Sequence, residues 1–99
     1  MRVHFERSGG FAGTRLAVDL EEASLPAEER AALRDLVGAC DFFALPPRIG
    51  GGATPDGFGY RVAVEDGGRA HAVTAGDEGM PDGLCALVDF LVERARGGS

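Results

Sequence analysis

Four short stretches of the chain alternate between apolar and polar residues, which is the period of a half-buried strand. In the first stretch Val3 and Phe5 share one side, and polar residues occupy the other. The four stretches are residues 1–7, 14–20, 58–65 and 69–75. Glycine-rich connections join the first pair and the last pair, so the pattern predicts two β-hairpins.

The fourth strand has two registers that agree with its pattern. A two-residue turn at Gly67-Gly68 puts His71 and Val73 on the core face. A three-residue turn instead sets Glu65 opposite Arg69 as a cross-strand ion pair. A slip of one residue exchanges the two faces, and both registers stay open at this stage.

Two other stretches have apolar residues at helical spacing. The first helix has Ser24 or Leu25 as its cap and Pro26 in its first turn, and it ends near Cys40. The second helix opens at Pro81-Asp82. Between them, residues 42–47 are predicted to be extended, because residues before proline avoid the helical region. Residues 48–57 are rich in glycine and proline and are predicted to form a surface loop.

The order ββαββα predicts an α+β fold, in which a four-stranded, mainly antiparallel sheet carries both helices on one face. Residues 1–96 are expected to form one domain, followed by a flexible C-terminal tail at residues 97–99. A chain of 99 residues is long enough for one modest core. The other face of the sheet is expected to be solvated, which favours a monomer. Its charged residues are Arg2, His4, Glu6, Arg15 and Asp19.

Composition excludes several classes of partner. The formal net charge is −6 and the chain has no lysine, which argues against a nucleic-acid partner. No apolar run reaches the roughly 20 residues that a membrane span needs, so no membrane partner is expected. The two cysteines, Cys40 and Cys85, lie on apolar stripes and are expected to be buried free thiols. Reduced cysteines without a preceding signal segment favour a cytoplasmic location.

The motifs of common catalytic and cofactor sites are missing from the sequence. Both glycine-rich segments precede strands, whereas a phosphate loop precedes a helix. A zinc site needs three or four close ligands, but the chain has only His4 and His71 and no Cys-x-x-Cys pair. A site built from both histidines and a carboxylate is an alternative. We therefore predict no catalytic residue, no cofactor and no metal.

The segment Ser8–Gly13 places one phenylalanine, Phe11, among three glycines between two strands. Glycine tolerates positive φ and lets the backbone turn sharply. Phe11 either folds back over the end of the hairpin or is exposed as an anchor for the pocket of a partner, where an aromatic side chain can carry much of the binding energy.

Five sequence blocks, in this order, resemble the emfourin family. They are FERSGGFAG at 5–13, ASLP at 23–26, FFALP at 42–46, FGYRV at 58–62 and EDGGRAH at 65–71. This family comprises small protein inhibitors of thermolysin-like zinc metalloproteases of the protealysin type. The resemblance implies a cytoplasmic bacterial protein that is not an enzyme and that binds its protease tightly and non-covalently.

The resemblance does not by itself identify the contact residues, and these are inferred from the preference of the target enzymes. Thermolysin-like enzymes prefer a bulky apolar side chain just after the scissile bond, which Phe11 and Ile49 each offer. We expect Ser8–Gly13 to enter the active-site cleft and Arg48–Asp56 to make a second contact. The predicted partner-binding residues are Ser8, Gly9, Gly10, Phe11, Ala12, Gly13, Arg48, Ile49 and Asp56. An interaction module with another partner, or a small metabolite enzyme, are the alternatives, because a fold does not determine function.

Overall fold

A computed structural model describes residues 1–9, 14–49, 58–76 and 79–97. The elements follow one another as β1 (Arg2–Gly9), β2 (Thr14–Glu21), α1 (Ala27–Ala39), β3 (Arg48–Ile49), β4 (Phe58–Asp66), β5 (Arg69–Gly76) and α2 (Asp82–Gly97). Short 3-10 turns lie at Glu22–Ser24 and Phe42–Ala44. The predicted α+β class and the two hairpins are confirmed, and one further strand lies between α1 and β4.

The strands form one five-stranded sheet in the order β2-β1-β4-β5-β3. The four predicted strands pair antiparallel, but β3 pairs parallel to β5. The prediction of a four-stranded sheet, with residues 48–57 as a loop throughout, is therefore wrong. Pro46 and Pro47 lead the chain alongside β5, where the Thr74 amide donates to the Pro47 carbonyl at 2.8 Å. A two-residue strand has too few positions to show a period in the sequence.

The hairpin of β4 and β5 turns on two residues, Gly67 and Gly68, which both have positive φ. Asp66 consequently faces Arg69, and Glu65 faces Ala70 rather than Arg69. This register puts Val73 and His71 on the same face as the buried residues of β4. The two-residue alternative is therefore confirmed and the three-residue alternative is wrong.

Both helices pack on one face of the sheet, as predicted, and run antiparallel to each other. Arg94 near the end of α2 pairs with Glu29 near the start of α1, while Gly83 lies against Cys40 at the other end of the pair. The core between the two layers contains Val3, Phe5, Leu20, Leu25, Leu33, Val37, Phe42, Val62, Val64, Val73, Ala75, Leu84, Leu87, Val88 and Leu91. Among the described residues, no helix is long and apolar enough to cross a lipid bilayer.

Two local predictions at the ends of α1 need correction. Ser24 belongs to a 3-10 turn, and the residue that caps α1 is Pro26, whose carbonyl accepts from the Arg30 amide at 2.9 Å. After α1, Asp41 takes left-handed φ and ψ and reverses the chain. The next residues form a 3-10 turn rather than an extended segment, and this turn buries Phe42 almost completely.

Candidate functional site

The end of the sheet at which β1 stops carries two of the predicted contact residues. Ser8 is exposed and lies between Arg15 on β2 and Gly59 on β4. Gly9 is the last residue of β1, and its φ of 100° lies in the left-handed region that glycine tolerates. The backbone thus leaves the sheet at the glycine where the sequence predicts the turn.

The second predicted contact segment starts on the edge strand β3. Arg48 pairs with Thr74 and is exposed on the sheet face opposite the helices, which we call the open face. Ile49 pairs with Ala75 and packs against the core with part of its side chain in solvent. The two adjacent residues point to opposite faces because side chains alternate along a strand.

Both contact segments leave the sheet at the same end. Gly9 at the end of β1 pairs with Phe58 at the start of β4. Gly59 pairs with Gly76, which is the residue after the Ile49 partner Ala75. The sheet register therefore brings the starts of the two predicted contact segments to one rim, although about 40 residues separate them in the chain.

The remaining predicted contact residues lie outside the described residues. These are Gly10, Phe11, Ala12, Gly13 and Asp56. The question of whether Phe11 covers the hairpin or points outward therefore stays at the stage of prediction. The structure describes the positions of four members of the set, which are Ser8, Gly9, Arg48 and Ile49.

The β1 and β2 half of the open face, which the sequence predicts to be charged and solvated, is a ladder of paired charges. Arg2 Nε donates to Glu21 at 2.8 Å, and Arg15 pairs with Glu6. His4 lies between them with Nδ1 2.7 Å from Asp19 and Nε2 3.2 Å from Glu6. Within each of these cross-strand pairs, the positive and the negative charge neutralise each other.

The carboxylates around His4 change the protonation of the cluster. The hydrogen bond to Asp19, followed by the one to Glu6, raises the pKa of His4 above its usual 6.5. The hydrogen bond from Arg15, followed by the one from His4, lowers the pKa of Glu6. The cluster therefore favours an imidazolium flanked by two carboxylates, which is a structural arrangement rather than a general base awaiting a proton.

The β3, β4 and β5 half of the open face was not singled out from the sequence. On the side next to β1 it has a shallow depression of about 350 Å³ with Ala63, Ala70 and Ala72 in its lining and Arg2, His4 and Glu65 around it. Beside the depression lie the exposed Arg61, Thr74 and Arg48, which are paired in one row across the three strands. The alternating small residues of β5 were the available signal in the sequence, but they indicate a depression on the open face only when the register of β5 is known.

The two histidines lie on opposite faces of the sheet. His4 aligns with Ala63 and Ala72 on the open face, whereas His71 aligns with the buried Val64. His71 Nε2 donates to the Leu45 carbonyl at 2.7 Å. A site that combines both histidines is therefore wrong. Within residues 1–9, 14–49, 58–76 and 79–97, no group of three histidine, cysteine or acidic side chains is arranged to hold a metal ion.

Both cysteines are free, as predicted, but they are half-buried rather than fully buried. The Cys40 thiol donates to the Val37 carbonyl and the Cys85 thiol donates to the Met80 carbonyl. Burial raises the pKa of the Cys40 thiol, which disfavours the thiolate that nucleophilic chemistry requires. The described geometry thus favours packing over reactivity at Cys40.

Comparison with known proteins assigns the chain to a family. Residues 5–92 match the family model described as Emfourin, which covers most of the chain and all of the described strands apart from the first three residues of β1. Neither the curated proteins nor the solved structures contain a match. The matched range includes the rim and most of the open face, and the chain therefore belongs to the emfourin family.

Proposed function

We propose that this protein is a non-covalent inhibitor of thermolysin-like zinc metalloproteases of the protealysin type. Membership of the emfourin family implies a role as a protease inhibitor. The proposal adds the class of protease and the site of contact. In this proposal the inhibitor acts as a monomer in the cytoplasm of a bacterium.

The observation that carries the proposal is the common rim from which both contact segments leave the sheet. Gly9 and Ile49 end strands β1 and β3 at the same end, three strand spacings apart, which corresponds to about 14 Å. A protein interface of ordinary size buries about 800 Å² on each partner and spans such a distance. One face of a protease can therefore meet Ser8–Gly13 and Arg48–Asp56 together.

The proposed mechanism needs no reactive group from the inhibitor. Phe11 occupies the enzyme pocket that normally takes the apolar side chain after the scissile bond, and the paired strands β1 and β2 hold the ends of its loop. Pre-ordering of the loop ends reduces the conformational entropy lost on binding. A loop held in this way blocks the cleft without reaching the geometry of cleavage.

Inhibition of thermolysin with a peptide substrate tests the proposal. The wild-type protein should inhibit stoichiometrically and remain intact by mass spectrometry. Phe11→Ala should weaken inhibition by about 2 kcal/mol or more, the scale of an interface hot spot, while Phe11→Leu, which keeps an apolar side chain, should retain most of the potency. Circular dichroism serves to show that both variants are folded.

Two outcomes separate the parts of the proposal. Unchanged inhibition by a folded Phe11→Ala variant would remove Phe11 from the contact while leaving the inhibitor role intact. Full activity of thermolysin and of protealysin in the presence of the wild-type protein would overturn the proposed class of target.

A further inference from the structure

The two halves of the open face differ in whether their charged side chains are paired. On β1 and β2, three cross-strand pairs neutralise the charged side chains: Arg2 with Glu21, His4 with Asp19, and Arg15 with Glu6. On β4, β5 and β3, the described side chains form no such pair. A charged partner is therefore attracted mainly to the β3, β4 and β5 half, where the charged side chains are unpaired.

Three exposed side chains of this half lie in one row, formed by Arg61 on β4, Thr74 on β5 and Arg48 on β3, which we call the arginine row, and the exposed Glu65 lies on the same face farther along β4. All three residues of the row are exposed and sit at paired positions, so their side chains leave the same face. The two arginines are two strands apart, or about 10 Å. Neither guanidinium contacts a carboxylate among the described residues.

The nearest acidic neighbour along this row is already engaged. Glu6 lies opposite Arg61 on β1, but its carboxylate pairs with Arg15 and lies 3.2 Å from His4 Nε2. The arginine row therefore presents two available cations on a protein whose net charge is −6. Unpaired guanidinium groups bind carboxylates with two parallel hydrogen bonds, so the row is complementary to an acidic partner.

The depression beside the row adds an apolar element. Ala63 and Ala72 lie opposite each other next to the row, and Ala70 lies one position further along the face of β5. The depression of about 350 Å³ that they help to line is open to solvent on the face without helices. An apolar side chain of a partner can pack there, beside carboxylates that meet the arginine row.

We infer that the β3, β4 and β5 half of the open face binds an acidic segment of the target protease, with carboxylates on Arg48 and Arg61 and an apolar side chain over Ala63, Ala70 and Ala72. This inference rests on the proposed function. Arg48 joins the two surfaces, because it belongs to the arginine row and also begins the segment that leaves the rim. The surface extends the contact from the loops onto the sheet.

The rate of association with thermolysin tests the inference. We expect the double variant Arg48→Gln with Arg61→Gln to associate about tenfold more slowly than the wild-type protein at about 20 mM salt. The difference should shrink at about 300 mM salt, because ions screen the attraction. Arg96→Gln removes one positive charge at the exposed end of α2 in the helical layer; it is the control for each arginine of the row substituted singly and should associate like wild type.

A second substitution probes the depression. Ala70→Gln fills part of it with a neutral side chain at an exposed position. We expect faster dissociation from thermolysin, with the salt dependence of association unchanged. Circular dichroism before each measurement ensures that only folded variants are compared.

The outcomes distinguish this inference from the function on which it rests. If the wild-type protein inhibits but the double variant associates at the same rate at low salt, the inference is overturned and the inhibitor role stands. If the wild-type protein inhibits neither thermolysin nor protealysin, both the inference and the proposed class of target are overturned. A wild-type dimer in sedimentation that the double substitution dissociates would assign the surface to a second copy and would also overturn the inference.

Discussion

The Nδ1 atom of His4 lies 2.7 Å from the Oδ1 atom of Asp19 across the pair of β1 and β2. The other ring nitrogen lies 3.2 Å from Glu6. A carboxylate only accepts hydrogen bonds, so both nitrogens are satisfied only when both carry protons. The structure therefore stabilises the imidazolium form of His4 at the expense of the neutral ring.

This geometry predicts a pH-dependent contribution of His4 to stability. The pKa of His4 in the folded protein lies above its usual 6.5, so its stabilisation is fully present below about pH 6.5 and is lost as the pH rises through the folded pKa. Urea unfolding at about pH 6 should show His4→Gln less stable than wild type by roughly 0.5–1 kcal/mol, and the difference should shrink towards about pH 9. An NMR titration of the His4 ring in which Asp19→Asn leaves the pKa unchanged would contradict the assignment.

Two helical glycines should respond in opposite directions to the same substitution. A Cβ atom at Gly83 would lie 3.0 Å from Cys40 Cα and 3.0 Å from Cys40 Cβ, whereas a Cβ at Gly38 would meet nothing within 4 Å. Gly83→Ala should destabilise the protein by about 1–3 kcal/mol, because the backbone of α1 has to move. Gly38→Ala should stabilise it by up to about 1 kcal/mol through helix propensity. Thermal unfolding of the two variants compares them, and equal signs would refute the close approach of α1 and α2.

His71 should matter for stability more than its half-exposed position suggests. Its Nε2 donates to the Leu45 carbonyl at 2.7 Å, and its ring meets the edge of Phe42 with centroids 5.7 Å apart. His71→Leu removes the donor and should cost about 1–2 kcal/mol. Urea unfolding at about pH 9, where the contribution of His4 is reduced, measures this cost, with His4→Gln as the control. A His71→Leu variant as stable as wild type would show that the hydrogen bond contributes nothing.

Arg69 and Phe43 should be energetically coupled. The guanidinium carbon of Arg69 lies 4.1 Å from the centroid of the Phe43 ring, within the range of a cation–π contact. A double-mutant cycle of Arg69→Gln and Phe43→Leu should give a coupling energy of about 0.5–1 kcal/mol in urea unfolding. If the effects of the two substitutions on the free energy of unfolding are additive, the two side chains are not energetically coupled.

Much of the fold could be predicted because the relevant patterns are local. Alternation at Val3 and Phe5 predicts a strand whichever strand it pairs with, and the stripe through Leu33 and Val37 predicts a helix. The two-residue strand β3 could not be predicted, since Arg48 and Ile49 form a strand only where the prolines bring them alongside β5. The turn at Phe42–Ala44 could not be predicted either. It follows the left-handed backbone of Asp41, which no pattern in the sequence predicts.

The candidate site, like the fold, could be predicted only in part from the sequence. The sequence pointed to the segments Ser8–Gly13 and Arg48–Asp56, and the family match now supports an inhibitor role in general. Their common rim depends on strand order, because β1 and β3 reach the same end only through β4 and β5. The arginine row depends on register as well, since one residue of slip would have moved Thr74 to the core face.

The sequence by itself determined the period of the four long strands and the two helices, the class of the fold and the family, because side-chain alternation and helical spacing are set by neighbours along the chain. Only the tertiary structure decided the five-strand order, the register of β5 and the alignment of Arg48 with Arg61 in one row. These features arise from pairing between residues that are far apart in the chain. Such pairing is selected by burial of one complete face of the sheet, a property that no single segment possesses.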